Sequence, residues 1–444
     1  MFHYTENQLQ DLTQSVLAQA KAGGATAADV DVSEGHGQSV SVRLQAIDEI
    51  EYQQDKGLGV TVYIGHKKGY ASTADFSDAA VTATVKAALN IAKYTAADAF
   101  SGLADPALMA TEVHDLDLYH PWDVTVEDAV VLAQRCEAAA QAFDPRISNS
   151  DGAAVSANHY QYVYGNSHGF MAGARTSRHS ISCSVVGKDA DGQMQRDYWY
   201  DVARSAADLD HPDAIGAMAA QRTVRRLGPS KIKTGHYPVV FESTVALSLV
   251  SHLVGALSGG ALYRDASFLL DSLGTQVLAD WVNITERPHD KKGFGSTYFD
   301  AEGVATHERD VIKNGEVMGY FLSSYSARKL AMTSTGNAGG AHSLHLNSTH
   351  PDLASLLKTM GTGLLVTELM GQGVNALTGD YSRGAAGFWV ENGVIVHPVE
   401  EITIAGQLQD MYRHMVGMAD DVVRRGAHRV GSILIDNMTV ASGQ

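Results

Sequence analysis

At 444 residues, with 45% hydrophobic content and 43 glycines against 9 prolines, the chain is too long for one compact core and too apolar for disorder to dominate. Its formal charge of −17 and pI near 5.5 argue against direct nucleic-acid binding, because phosphate-backbone binders concentrate Lys and Arg on one face. Cys136 and Cys183 lie in different segments, make no disulfide framework and are read as reduced thiols.

In chain order, the spacing of Leu9, Leu12, Val16, Leu17 and Ala20 predicts an amphipathic helix over 5–22, stopped by Gly23-Gly24. The opening segment has no basic stretch followed by an apolar core, so no secretory signal is expected. Alternating runs at 38–44, 48–54 and 58–64 predict an antiparallel meander. A second helix is expected over 78–94, and 95–124, with Pro106 and Pro121, reads as a linker. Thr125-Val-Glu-Asp128 predicts a capping box opening a helix that contains Cys136 and ends near Phe143. Strands at 158–164, 170–176, 178–186 and 193–203 and a helix over 212–226 lead to a boundary at Leu227-Gly-Pro-Ser230.

Beyond the boundary a strand at 236–241 precedes a helix through His252. The region after 290 reads as mostly strand, closing with a helix over 407–424 and a strand at 430–436. Three units are predicted, 1–120, 121–230 and 235–444, with no fixed-period repeat. Helices and antiparallel strands in mixed order indicate an α+β fold. No apolar run approaches a membrane span, so a cytoplasmic protein with no membrane association is expected.

The stretch from Glu242 to Gly260 places Val245, Leu249, His252, Leu253, Ala256 and Leu257 on one helical stripe, with His252 as its one polar member. Together with Gly361-Thr-Gly-Leu-Leu-Val-Thr-Glu-Leu-Met-Gly-Gln-Gly373 and Gly379-Asp-Tyr-Ser-Arg-Gly-Ala-Ala-Gly-Phe-Trp-Val-Glu-Asn-Gly393, it resembles the TldD/PmbA family of zinc peptidases, most closely the PmbA (TldE) branch, over essentially the whole chain. The resemblance implies an N-terminal α+β half with antiparallel sheets and helices, and a C-terminal β-rich half built on a curved, barrel-like sheet. It also implies a helix that carries His-Glu-x-x-x-His in the TldD branch, where the histidines bind zinc and the glutamate is the general base. Here those six positions read His252, Leu253, Val254, Gly255, Ala256 and Leu257, and no cysteine stands near the C-terminal end. Leucine supplies neither ligand nor base. No catalytic or metal-ligating residue and no cofactor are therefore assigned to this chain, His252 is read as a packed, hydrogen-bonded core histidine, and zinc is expected in a catalytic partner.

Other patterns carry less. Gly165-Asn-Ser167-His-Gly169 matches a nucleophile elbow, but strand-like residues follow it, so a hairpin turn is expected. Tyr325 with Lys329, and Ser326 with Lys329, are short patterns without the companion motifs of the enzymes that use them. His342, His345 and His350 follow a Gly-rich loop with no carboxylate or cysteine to complete a metal set. Asp380, Tyr381, Arg383, Phe388 and Trp389 read either as the lining of a peptide channel or partner contact, which the resemblance implies, or as a strand with its aromatics in the core.

The expected function is that of a PmbA-type subunit, itself non-catalytic, in a cytoplasmic zinc protease with a TldD-like paralogue as partner. The resemblance further implies maturation of small peptides, turnover of unfolded antitoxin-type proteins, an indirect influence on DNA gyrase, and self-pairing when the paralogue is absent. The alternatives are a self-sufficient homodimeric metallopeptidase with an atypical metal site, and a non-enzymatic adaptor.

Overall fold

The Thr5 hydroxyl accepts the Gln8 amide while the Gln8 side chain accepts the Thr5 amide, a reciprocal cap that opens α1 (Glu6–Ala22) in the computed structural model, which describes residues 2–442 and so omits Met1 of the opening segment. Three strands follow, β1 (Ala27–Arg43), β2 (Ala46–Ile64) and β3 (Lys67–Thr73), then α2 (Asp78–Tyr94). After an irregular strap come α3 (Val126–Phe143), β4 (Ile147–Asn166), β5 (Met171–Lys188), β6 (Met194–Ala203) and α4 (Pro212–Arg225). All six strands form one antiparallel sheet in the order β3-β2-β1-β4-β5-β6, continuous across the predicted boundary at 120.

These strands are longer than the sequence pattern indicates. The runs at 48–54 and 58–64 belong to the single strand β2, and 170–176 and 178–186 to β5. The turn between β1 and β2 falls at Leu44-Gln45, at the break expected between the runs 38–44 and 48–54, with both residues at positive φ (51° and 66°) and neither a usual turn residue. The buried Glu137 carboxylate of α3 accepts both of their amides, at 2.8 and 2.7 Å. The Gly165–Gly169 segment forms the β4–β5 hairpin turn, with the Asn166 amide donating to the Phe170 carbonyl at 2.9 Å.

One face of the sheet is covered in two places. α1 and α2 bury Leu9, Val16, Val81 and Val85 on Val30, Val60 and Val163, while α3 and α4 bury Ala133, Cys136, Ile215 and Ala219 on Val42, Val155, Ile181 and Cys183. A Cβ on Gly216 would stand 1.9 Å from the Cys136 carbonyl oxygen, so only glycine allows α4 this close to α3. Cys136 and Cys183 are both free and buried. Between the two helical layers runs a seam of imidazoles: His36 stacks on His159 at 4.7 Å, and His159 meets His179 edge-on at 5.4 Å. Thr125 caps α3 by accepting the Asp128 amide, but the Asp128 carboxylate takes the Thr125 hydroxyl rather than the cap amide, so the box is half formed.

The second half contains β7 (Gly235–Phe241), α5 (Ser243–Ala256), α6 (Gly259–Leu262), β8 (Ile284–Glu286), β9 (Arg309–Lys313), β10 (Glu316–Val317), α7 (Ser324–Lys329), β11 (Leu344–Leu346), α8 (Leu353–Met360), β12 (Gly363–Met370), β13 (Asp380–Glu391), β14 (Val394–Gln407), α9 (Leu408–Arg413), β15 (Met415–Met418) and β16 (Ile433–Ser442). Strands β14, β13, β12, β7 and β16 follow one another around a closed five-stranded barrel, sealed by β14 pairing with β16, and β15 extends from β16. Among the described residues of the barrel strands, only the β12–β7 pairing is parallel. The α+β class and the barrel-like C-terminal sheet are as expected. A Cβ on Gly387 would lie 1.9 Å from the Leu365 carbonyl oxygen, beside register shifts in both flanking pairings, which marks where the wall bends.

Two expectations fail here. Residues 290–343 hold two short strands and α7 rather than mostly strand, because buried carboxylates take the place of a ladder. Asp300 accepts the amides of Glu302, Val304 and Ala338, and Glu286 accepts that of His342. The helix expected over 407–424 stops at Arg413 as α9, because Met415–Met418 pairs with Ile433–Ile435 and tertiary pairing overrides the local pattern. The 95–124 segment carries a short 3₁₀ turn at Pro106–Leu108 and is pinned to α7: Arg328 donates to the carbonyls of Phe100, Gly102 and Leu103. Among the described residues no helix is long and apolar enough to cross a membrane.

Candidate functional site

Helix α5 leaves the barrel strand β7 directly, and Glu242 occupies its N-cap without a side-chain capping bond. Its carboxylate is turned to α4, accepting Arg222 Nη1 and Arg225 Nη2, each at 2.9 Å, and the Thr244 hydroxyl at 2.8 Å. Burial opposes the charge of Glu242, but the two guanidiniums outweigh it and hold the carboxyl below its usual range. Arg222 also reaches Asp197 of β6 at 3.4 Å, so one buried ionic knot joins the N-terminal sheet to the first helix of the barrel half.

The three degenerate motif positions occupy the last turns of α5 and its C-cap, Leu257. Leu257 is fully buried and Leu253 nearly so, both within the barrel core. His252 is half-buried and faces the Tyr381 ring edge-on at 6.2 Å. Contrary to expectation, His252 Nε2 is buried without a hydrogen-bond partner among the described residues. Burial, and then the positive charge of Arg383, lowers its pKa. The position therefore offers one nitrogen, two hydrocarbon side chains and a neighbouring cation, a donor set that does not fit zinc, which takes three protein ligands. Among the described residues no group of three or more His, Cys, Asp or Glu is placed to hold a metal.

The other face of α5 borders a cavity of about 770 Å³ between β6, α4, β12 and β13. Thr244, Ser248 and Ser251 line it from the helix, and Arg196, Arg222, Arg226, Arg383 and Arg425 line it with Asp197 and Glu368.

The β13 residues are divided by strand alternation. Asp380 is exposed and accepts the Thr378 hydroxyl and the Gln407 amide, which hold its carboxyl below the usual range. Tyr381 is buried beside Phe241, and Phe388 is buried beneath the Arg225 guanidinium at 4.8 Å. Trp389 is half-buried against Tyr237, with Nε1 donating to Glu391 at 3.0 Å. Arg383 faces the α5 cavity, whereas Asp380 and Tyr381 border a separate, open hollow of about 740 Å³ with Val374 and Ala405.

The remaining motifs have structural partners. His342 Nε2 lies 2.7 Å from the Gly336 carbonyl, His345 reaches Asp290 and His350 Nε2 lies 2.9 Å from the Thr359 hydroxyl, so the three rings serve different neighbours. Tyr325 donates to Asp98 at 2.6 Å and Lys329 lies 3.9 Å from the same carboxylate, which anchors the strap. Ser326 is buried in the cap of α7. Sequence reasoning missed the Arg222–Glu242 knot and the arginine-lined cavity. Their one signal was Arg222, Arg225 and Arg226 within five residues of a helix, which resembles an ordinary solvated face.

Three domain profiles described as PmbA/TldA metallopeptidase match the chain: domain 1 at residues 28–92, the central domain at 119–227 and the C-terminal domain at 234–442. The chain is 49% identical to Metalloprotease PmbA of Escherichia coli O157:H7, over 96% of this chain and 94% of that protein. It is 48% identical to a Metalloprotease PmbA homolog of Haemophilus influenzae, over 98% and 96%. A crystal structure from Bacteroides thetaiotaomicron, described as a candidate modulator of DNA gyrase, superimposes with a TM-score of 0.93 at 26% identity, covering 99% of this chain and all of that one.

Proposed function

The chain belongs to the PmbA/TldD metallopeptidase family, in its PmbA (TldE) branch, and from that premise we propose that it is the non-catalytic subunit of a cytoplasmic zinc peptidase whose metal is held by a TldD-type paralogue. The observation that carries this reading is the pair Leu253 and Leu257, whose side chains are committed to the barrel core where a base and a ligand would be required. An association surface supports it. The outer half of the β1–β2 hairpin exposes Leu44, Ile47, Ile50 and Tyr52, an apolar strip of the kind that marks protein interfaces. The substrates of the assembly are unfolded or short peptides, held by main-chain pairing that tolerates many sequences.

The test is cleavage of an unstructured peptide by this chain alone, by the paralogue alone and by the mixture, each with and without a chelator. Chelator-sensitive cleavage that requires the paralogue is expected. Comparable cleavage by this chain alone would overturn the proposal.

A further inference from the structure

Five arginines and two carboxylates line the α5 cavity of a chain whose net charge is −17, so positive charge is concentrated there against the overall balance. Three of the five are neutralised. Arg196 pairs with Asp151 at 3.1 Å, Arg222 with Glu242 at 2.9 Å, and Arg226 with Asp197 at 3.6 Å and with Glu368. Arg383 and Arg425 have no carboxylate partner among the described residues. Arg383 Nε donates only to the Met370 carbonyl, at 3.2 Å.

Arg425 is held by rings instead of charges. Its guanidinium carbon lies 3.7 Å from the Trp199 ring and 3.9 Å from that of Tyr200, and Arg222 approaches the same indole at 5.2 Å. Nε and Nη2 of Arg425 are buried without an acceptor. Stacking offsets part of the desolvation. It leaves two donor nitrogens of Arg425 without an acceptor and its positive charge without a counter-ion among the described residues, and an anion in the cavity would supply that missing charge.

We infer that this cavity binds a carboxylate of a peptide, through Arg425 and Arg383. A carboxylate matches the planar fork of a guanidinium and brings the missing charge. The volume, about 770 Å³, lies within the range of small-ligand sites and accommodates a few residues rather than a folded domain. The α5 wall suits the rest of a peptide: the Ser248 and Ser251 hydroxyls donate back to the carbonyls of Val245 and Leu247, leaving their lone pairs to accept peptide amides. The inference rests on the proposed role in peptide handling and gives this subunit a share in choosing the substrate.

Calorimetric titration of the full chain alone, without the paralogue, tests it separately from cleavage. The probes are an unstructured peptide ending in Asp and Glu residues, the same peptide with an amidated C-terminus, a version with Asn and Gln in place of Asp and Glu, and one with both changes. The acidic peptide is expected to bind at least about tenfold more tightly than the doubly neutral one, and more weakly as salt rises. Loss on amidation alone identifies the α-carboxylate as the ligand, and loss on side-chain neutralisation alone identifies Asp and Glu; either supports the site. Arg383→Gln and Arg425→Gln should each abolish the preference, with Arg383→Lys and Arg425→Lys retaining part of it and circular dichroism reporting the fold. Should Arg425→Gln unfold, Arg383→Gln remains decisive, because Arg383 makes a single backbone hydrogen bond. Equal affinity for all four peptides, no binding of any, or an undiminished preference in the folded Gln variants would overturn the inference.

Discussion

The Glu137 carboxylate, buried in α3, accepts the amide of Leu44 at 2.8 Å and thereby holds the tip of a hairpin that lies 93 positions earlier in the chain. The same carboxylate takes the Gln45 amide and side chain, so two left-handed residues that are not glycine are fixed by one acceptor. Glu137→Ala should destabilise the chain by about 3 kcal/mol in urea denaturation, since two amides and a side chain lose a charged partner. Leu44→Gly should stabilise it by about 0.5–1 kcal/mol, because φ of 51° is free of strain for glycine and the exposed Leu44 side chain makes no hydrogen bond that would be lost.

Glu242→Ala leaves Arg222 buried beside Arg225, with only Asp197 to offset them. A loss of about 3–5 kcal/mol is expected, and two separate thermal transitions should replace one as the sheet half uncouples from the barrel half. Scanning calorimetry checks both. A single unshifted transition would show that the knot does not couple the halves.

The imidazole seam makes stability pH-dependent on the acid side. Burial, and then the neighbouring His36 and His179, push the His159 pKa down from 6.5 to about 4. The folded state therefore keeps the ring neutral where the unfolded chain takes up a proton. The penalty is absent above the usual histidine range, grows as pH falls from about 6.5 and levels off below about 4, reaching about 2 kcal/mol at pH 5 from this residue. His36 and His179 are lowered in the same direction. His159→Gln should flatten the fall in urea midpoint between pH 7 and pH 5, and an unchanged slope would assign it to other groups.

Leu257→Ala should cost about 2–5 kcal/mol, the usual range for a fully buried leucine. Restoring the motif by Leu253→Glu with Leu257→His should cost more, since a carboxylate and an imidazole would enter an apolar core. Denaturation curves and metal analysis after dialysis check this. A stable double variant that retains zinc would show that the core tolerates the site.

What was legible followed from local pattern. The helix spacing around Leu9 and Val16, the Thr125 cap, the hairpin at Gly169 and the α+β class all rest on residues within a turn or two of one another. What was not legible depends on distant partners. The gap after the run at 38–44 marked the first turn, but the left-handed form of Leu44-Gln45 is set by a carboxylate on α3, and the gap at 55–57 between two expected strands lies inside β2. Met415–Met418 reads equally as helix until Ile433–Ile435 claims it. At the candidate site, the substitution of Leu253 and Leu257 was visible residue by residue. The cavity beside them required Arg383, Arg425 and Trp199, which come from three separate stretches of the chain.

The strand that seals the barrel also sets the order of its making. β16 lies between β7 and β14, and its Thr439–Ser442 segment pairs with Ile402–Ala405. A chain emerging from the ribosome can complete the six-stranded sheet early, but β7 must wait through nearly 200 residues, from Phe241 to Ile433, for its second neighbour. Until then its apolar edge stands open, so this half should be the one that engages chaperones during synthesis.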